Sequence, residues 1–215
     1  MLGNIGAEHI SKLKQLTYLN IQNNQIGSTG AKYLRELKQL TNPNIHTNDI
    51  DSKRAEYLSE LKQLQTLEIG YNNIESAGVE YLSSIEQFSH LGVAANEIVT
   101  EGVKWLGNLK QLTYLDISCN QVFIIGDDIN SEEVEILTGM QQLQYLDIGG
   151  NYIDDEGAKC LSKLKELKHL NVLRNAISEE GAQHISKLEK LTFLNIANND
   201  IGYQGIYLSK MKQLH

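Results

Sequence analysis

Several groups of residues in this sequence could support chemistry, and the densest of them is acidic. Asp127, Asp128, Asn130, Glu132 and Glu133 lie within seven residues of one another, and carboxylate and amide oxygens are the ligands that calcium prefers. The alternation at 128, 130 and 132 has the ligand spacing of a calcium loop, but the mid-loop glycine and the distal glutamate are missing. We therefore expect no metal site here and no cofactor elsewhere.

The sequence gives equally little support for nucleophilic or acid–base catalysis. Cys119 would need a nearby base to act as a nucleophile, and His90 falls one repeat away in a different column of the pattern described below. Asp116 and Asp147 fall on adjacent predicted strands, but nothing apolar encloses them to raise a pKa for acid catalysis. The sequence contains no HExxH, GxSxG or CxxC segment. A hydrolytic or metal-dependent enzyme is therefore the weaker alternative, and we expect no enzyme.

Composition excludes some partners. Asp and Glu number 27 against 19 Lys and Arg, whereas nucleic-acid binding needs clustered cations. The sequence has no apolar run long enough to cross a bilayer, and its first residues, MLGNIGAEHISKLK, lack the apolar core of a signal peptide. We expect no nucleic-acid or membrane partner, and a protein that is cytoplasmic or delivered into a host cell by a signal-independent route.

A repeated pattern organises the chain. Its units begin at Leu16, Leu40, Leu64, Phe88, Leu112, Leu143, Leu167 and Leu191, at steps of 24 residues with a single step of 31. Within a unit, Leu19 and Ile21 alternate with polar residues as in a half-buried strand. Ala31, Leu34 and Leu37 then mark one face of a short helix. The pattern predicts a single domain over 1–215, with a helical half-repeat at 1–15, eight strand–helix repeats at 16–213 and a seven-residue insertion near 123–130.

Other columns of the pattern predict local structure. One asparagine per unit, from Asn24 to Asn199, predicts a ladder of side-chain amides that satisfies backbone groups where each strand ends. Pro43 lacks an N–H group and predicts that the second strand is irregular or lies where pairing is not required. Neither end has a polar capping motif, which favours a piece of a longer protein or an oligomer. Predicted helix N-caps are Ser28, Ser52, Ser76, Thr100, Ser131 and Asp155.

The motif LxxLxIxxNxI followed by GAxxLxxL resembles the leucine-rich-repeat superfamily, and more narrowly its bacterial helical subtype with 24-residue repeats, the GALA type related to ribonuclease inhibitor. The resemblance implies an α/β solenoid, a curved horseshoe with a parallel sheet on the concave side and short helices on the convex side. Family members mostly bind proteins, and several bacterial relatives are effectors delivered into host cells, some joined to an F-box or ubiquitin-ligase domain. Here the resemblance implies the recognition part only.

The outward positions of the strands are the predicted partner-binding face. We expect Asp116 and Asp147 to attract a basic group and Tyr114 and Tyr145 to flank it, although such rings also stack simply because a sheet favours aromatic neighbours. The predicted contact residues on this face are Tyr18, His90, Tyr114, Asp116, Tyr145, Asp147, His169 and Phe193.

The insertion is a second candidate site. Phe123, Ile124 and Ile125 are apolar where the repeat needs no apolar residue, and they either anchor a partner or fold back over the neighbouring repeat. The sequence thus predicts a protein-binding scaffold, part of a bacterial effector or adaptor. The alternative within the same class is the substrate-recognition part of a ubiquitin-ligase adaptor. The identity of the protein partner and the oligomeric state are not predicted.

Overall fold

Strands and helices alternate along the chain. The computed structural model describes residues 1–120, 132–202 and 211, with side chains from residue 135 onward in the second range. Phe123, Ile124 and Ile125 of the predicted insertion lie outside the described residues. The strands are β1 (Tyr18–Asn20), β2 (Asn42–Asn44), β3 (Thr66–Glu68), β4 (His90–Gly92), β5 (Tyr114–Asp116), β6 (Tyr145–Asp147), β7 (His169–Asn171) and β8 (Phe193–Asn195). The helices are α1 (Gly3–Ile10), α2 (Gly27–Leu34), α3 (Ser52–Ser59), α4 (Glu75–Leu82), α5 (Thr100–Leu106), α6 (Glu132–Leu137), α7 (Asp155–Leu161) and α8 (Glu179–Ile185).

The strands form one parallel sheet in sequence order, from β1 to β8. Each strand pairs with the next in the register of the repeat, so that Leu91 lies opposite Leu115. The longer step is absorbed without loss of register, because Leu115 lies opposite Leu146. This topology confirms the predicted solenoid with a parallel sheet and short helices.

The core lies between the sheet and the helices, and every repeat contributes the same positions to it. Leu67 and Ile69, at and just after β3, are fully buried, as are Val79 and Leu82 of α4. Burial of such a side chain stabilises the fold by about 1.5–3 kcal/mol. A single repeat cannot bury these side chains, so stability depends on stacking neighbours.

The asparagine ladder is present as predicted. The side chain of Asn72 accepts, through Oδ1, the N–H groups of Asn48 and Ile50 at 3.0 Å each. Its Nδ2 donates to the carbonyl oxygens of Ile45, Ile69 and Gly70. One amide therefore satisfies five backbone groups, two of its own repeat and three of the preceding one.

The prediction for the second strand is confirmed on the side that faces β3 and wrong on the side that faces β1. Pro43 lies in register opposite Leu19, and its side chain is buried. The loss of pairing caused by the proline is confined to the side of β2 that faces β3, where the two strands pair only at Asn44 and Glu68. Ile45 donates its N–H to Glu68 across this pair, and two residues earlier proline has no N–H group to donate.

The predicted helix N-caps fall inside the helices, one residue past the observed N-cap at Ser52, Thr100 and Asp155 and two residues past it at Ser28 and Ser76. Ser28, Ser52, Ser76, Thr100 and Asp155 lie in the first turn of their helices, and Ser131 lies outside the described residues. Capping side chains occur one position earlier, as at Asp51, which accepts the N–H of Arg54, and Asp154, which accepts that of Gly157. First-turn residues bond across repeats instead, since Ser28 Oγ donates to Asp51 Oδ2 at 2.6 Å.

The residue before each ladder asparagine turns the chain away from the sheet. It has a positive φ in all eight repeats, and only Gly150 adopts that region without steric cost. The other seven are Asn23, Thr47, Tyr71, Ala95, Cys119, Arg174 and Asn198.

Candidate functional site: the exposed sheet face

The residues that point away from the helices, on the strands and two positions after each strand, form the exposed sheet face, in three columns of eight. None of these 24 positions is a lysine or an arginine, although the chain contains 19 of these residues. The first column is Tyr18, Asn42, Thr66, His90, Tyr114, Tyr145, His169 and Phe193; the second is Asn20, Asn44, Glu68, Gly92, Asp116, Asp147, Asn171 and Asn195; the third is Gln22, His46, Gly70, Ala94, Ser118, Gly149, Leu173 and Ala197. No described helix or strand packs over this face.

Five consecutive rings of the first column form a continuous stack, the ring stack (His90, Tyr114, Tyr145, His169 and Phe193). Ring centroids lie 3.7 Å, 4.0 Å, 4.1 Å and 3.9 Å apart along it, and interplanar angles are at most 17°. Close parallel rings on adjacent strands shield one another from water and stabilise the sheet through cross-strand pairing.

The stack corrects one part of the predicted site geometry. Tyr114 and Tyr145 cannot hold a basic group between their ring faces, because these faces are in contact with each other. Their edges and hydroxyl groups are what the face presents to a ligand. Tyr18 is 63% exposed and lies on β1, three strands away from His90. It does not belong to the stack.

The stack also sets the protonation of its members. Burial raises the pKa of Tyr114, and the proximity of Tyr145 and a hydrogen bond to its hydroxyl raise it further. Burial likewise raises the pKa of Tyr145, while the hydrogen bond with Tyr114 lowers it. Burial lowers the pKa of His169 against the opposing effect of Asp147. These three side chains are therefore uncharged near neutral pH.

Most residues of the second column have a structural role. Asp116 Oδ1 accepts the N–H of Ser118 at 2.9 Å, and Asp147 Oδ1 accepts that of Gly149 at 3.0 Å. The same bond, from the residue two positions later, is made by asparagine at Asn20, Asn44, Asn171 and Asn195. Where this bond is made, the turn after the strand uses a side-chain oxygen and does not need a charge.

Glu68 belongs to this site, although the sequence did not single it out. Its Oε1 lies 2.5 Å from Nε2 of His90, at the end of the ring stack. The side chain reaches across the next strand, where a Cβ at Gly92 would lie only 2.7 Å from its Cδ. The available signal was the glycine in the second column directly after a glutamate, because glycine marks a close approach in a strand.

Three carboxylates therefore occupy neighbouring strand positions, which we call the carboxylate row (Glu68 over β4, Asp116 on β5 and Asp147 on β6). Burial raises the pKa of Asp116, hydrogen bonds from Ser118 lower it, and the nearby charges of Asp147 and Glu68 raise it. Ionisation of Asp116 is thus opposed both by burial of its carboxyl group and by the negative charges of Asp147 and Glu68.

Cys119 lies away from this row. It lines a cavity of about 510 Å³ at the end of the strands, with Asn72, Asn73, Ala95, Glu97, Val99 and Asn120. None of the described lining residues is a histidine, so the sequence pairing of Cys119 with His90 is not formed there. Among the described lining residues, only Glu97 could act as a base to activate the thiol.

The described residues contain neither a metal-binding cluster nor a membrane-spanning helix. Within residues 1–120, 132–202 and 211, no three His, Cys, Asp or Glu side chains are grouped so that they could hold a metal ion. In the same part of the chain, no helix has the length and apolar character that a bilayer crossing requires.

Comparisons with solved structures show the same fold in bacterial proteins. An internalin from Listeria monocytogenes superposes with a TM-score of 0.73 at 23% identity, over 88% of this chain and 50% of its own. Internalin C2 from the same organism gives 0.68 at 22% identity, over 91% and 77%. A leucine-rich-repeat protein from Leptospira interrogans gives 0.64 at 21% identity, over 95% and 55%. The chain thus spans about half the length of the first and third of these structures.

None of the curated proteins matches the sequence. The family model for a leucine-rich repeat region, in contrast, matches residues 1–215. With the eight-stranded parallel sheet and the asparagine ladder, this match establishes that the chain belongs to the leucine-rich-repeat proteins.

Proposed function

We propose that this chain is a protein-recognition module that binds a partner protein on its exposed sheet face. The observation that carries the proposal is the ring stack beside the carboxylate row, on a face that no described element covers. Leucine-rich repeats generally serve as protein-binding modules, and this face has the composition expected of an interface.

The shape of the face favours a protein over a small molecule. The ring stack crosses five strands, about 19 Å at the usual strand spacing. Small-molecule sites are enclosed pockets, whereas this surface is open. Aromatic residues, tyrosine above all, are enriched where protein interfaces concentrate their binding energy. The edges of Tyr114 and Tyr145 and the 46% exposed ring of Phe193 supply this kind of contact.

We infer further that the module is the recognition part of a bacterial effector or adaptor. The structural likeness to internalins of Listeria monocytogenes and to a protein of Leptospira interrogans supports a bacterial setting. The helical 24-residue subtype is supported by the α-helical segment of six to eight residues in each described repeat.

The test is affinity capture with three forms of the protein, from bacterial and host-cell lysates. The first is the parent, the second carries Tyr114→Ala, Asp116→Arg and Tyr145→Ala, and the third carries Lys38→Ala, Glu101→Arg and Lys159→Ala on the helix side. Circular dichroism and thermal unfolding verify that both variants fold. We expect a protein that is retained by the parent and by the helix-side variant and lost by the face variant.

Two outcomes would contradict the proposal. A protein retained equally by all three forms would place the contact outside the exposed sheet face, for example at Phe123, Ile124 and Ile125. If no form retains any protein, the chain is not a recognition module by itself.

A further inference from the structure

The carboxylate row is continuous because Gly92 leaves room for Glu68. The second column places acids on β3, β5 and β6 and a glycine on β4. The side chain of Glu68 lies across that glycine and contacts His90. Its carboxylate thus fills the gap, and three negative groups follow one another at about the 4.8 Å spacing of the strands.

The fold does not require these charges. Four of the six residues that accept the N–H two positions later are asparagines, so the two aspartates could be asparagines without loss of the bond. Glu68 makes no such bond among the described contacts. Ionisation of Asp116 is also opposed by burial and by the adjacent acids. Charges that the fold neither needs nor favours are typical of a binding surface.

No cation of the chain neutralises the row in the part that the structure describes. The ion pairs of lysine and arginine there involve other acids, such as Glu60, Glu101 and Glu166. Among the described Lys, Arg and His side chains, only His90 contacts a member of the row, and Asp147 Oδ2 accepts a neutral hydrogen bond from Nδ2 of Asn171 at 2.8 Å. Asp116 uses Oδ1 for both bonds from Ser118, and its Oδ2 accepts no hydrogen bond from the described residues. The central carboxylate of the row therefore has one oxygen without a hydrogen-bond partner among the described residues.

We propose that the carboxylate row receives a cationic segment of the partner protein, with lysine or arginine at alternate positions. The inference rests on the proposed function and names the chemistry of its partner. The row is about 10 Å long, two strand spacings, and side chains on one side of an extended peptide recur at about 6.8 Å. Two cationic side chains at i and i+2 therefore fit along it.

The ring stack defines how such a cation is bound. Cation–π attraction needs an open ring face, and the faces of Tyr114 and Tyr145 are covered by neighbouring rings. The cation is held by carboxylate oxygens, with the tyrosine hydroxyl groups beside them. Since both contacts are polar and partly exposed to water, binding weakens as salt concentration rises.

The test uses short fluorescent peptides in an anisotropy titration at low and physiological salt. One peptide carries lysine at alternate positions among serines, a second has glutamine in place of lysine, and spermine serves as a free cation that is not a peptide. Each is titrated against the parent, a row variant (Glu68→Gln, Asp116→Asn, Asp147→Asn) and a control variant (Glu101→Gln, Glu156→Gln, Glu189→Gln). Both variants remove three negative charges, but the control removes them from exposed positions on the helix side.

We expect the lysine peptide to bind the parent and the control variant alike, and the row variant at least about tenfold more weakly. Equal weakening by both variants would reduce the effect to net charge and overturn the proposal, as would absence of binding or equal binding of the glutamine peptide. If spermine bound as tightly as the lysine peptide, the ligand of the row would be a free polyamine and not a peptide segment, which would also overturn the proposal. If a captured partner is lost by the face variant but retained by the row variant, the proposed function stands and this inference fails.

Discussion

The side chain of Glu68 lies over Gly92 and fills the space that a side chain at this position of β4 would otherwise occupy. A Cβ at this position would lie 2.7 Å from Cδ of Glu68. This distance is far shorter than van der Waals contact. The absence of a side chain on one strand thus determines where the charge of another strand lies.

Gly92→Ala is therefore expected to displace Glu68 from His90 and to lower the free energy of unfolding by about 1 kcal/mol, the lower end of the cost of overpacking. Urea unfolding gives the free energy, and the imidazole signals of His90 in NMR spectra report the loss of its partner. The control is the same substitution in a Glu68→Ala background, where the space is free. An equal loss of stability in both backgrounds would show that the cost lies in the backbone and not in the contact.

Asn72→Ala is expected to be among the most destabilising single changes in the chain. It leaves the N–H groups of Asn48 and Ile50 without an acceptor in a buried setting, whereas the three carbonyl oxygens that Asn72 contacts each keep a second donor. We expect a loss of about 3 kcal/mol or more, since each buried unsatisfied group costs about 1–3 kcal/mol. The matched control is Asn24→Ala, because Asn24 is half-buried and its Oδ1 accepts the exposed N–H of Leu2.

In urea unfolding the loss for Asn24→Ala should be about 1 kcal/mol, because water can replace the amide there. Equal losses at the two positions would mean that each ladder amide contributes the same stability wherever it lies. Burial would then not be the reason why removing an amide is costly.

Asp116→Asn is expected to stabilise the protein at neutral pH. Because the pKa of Asp116 is raised in the folded state, chiefly by burial, its contribution to stability is complete below the unfolded pKa and is lost as pH rises through the folded pKa. Asparagine keeps the bond to Ser118 and has no such loss. The free energy of unfolding of the variant minus that of the parent should thus grow as pH rises from the unfolded pKa of Asp116 to its folded pKa. Above the folded pKa this difference should stay constant.

Thermal unfolding from acid to neutral pH measures that difference. Glu189→Gln, an exposed change of the same charge, should show no growth over that pH range. A pH-independent difference for Asp116→Asn would mean that the carboxyl titrates alike in the folded and unfolded chains.

Ala95→Gly is expected to stabilise the protein, against the usual effect of glycine. Ala95 has a φ of 48°, a region that costs an L-residue about 1–2 kcal/mol. We expect a gain of about 0.5–1 kcal/mol in the free energy of unfolding, since greater freedom of the unfolded chain offsets part of the relief. Ala176→Gly is the control at an exposed residue without positive φ, and it should be destabilising. A loss at both sites would show that no strain is stored at Ala95.

The repeat could be predicted because its columns carry the same signal many times over. Leucine and asparagine recur at one spacing, so an exception such as Pro43 does not obscure the strand. The helix caps were misplaced by one or two residues because serine and aspartate suit both the cap and the first turn, and only the backbone decides between them. The positive φ at Thr47, Tyr71 and Ala95 has no signal in the residue types themselves.

The sequence predicts which residues make up the exposed sheet face, but not how their side chains are arranged on it. The sequence shows that Tyr114 and Tyr145 are neighbours, whereas side-chain rotamers decide whether a pair of rings separates to admit a ligand or stacks. The same limit hid Glu68, whose position in the row depends on a side chain that crosses to the next strand. Phe123, Ile124 and Ile125 stay predictions.

The ladder joins Asn120 to Asn151 across 31 residues in the same way that it joins Asn96 to Asn120 across 24. The spacing between repeats is therefore set by amide-to-backbone bonds and not by the number of residues between them. A gene encoding this architecture can lengthen the segment after a ladder asparagine without moving the strands on either side. Insertions and deletions at that point leave the scaffold in register, so new surface loops can arise in one repeat while the binding surfaces of the others are inherited unchanged.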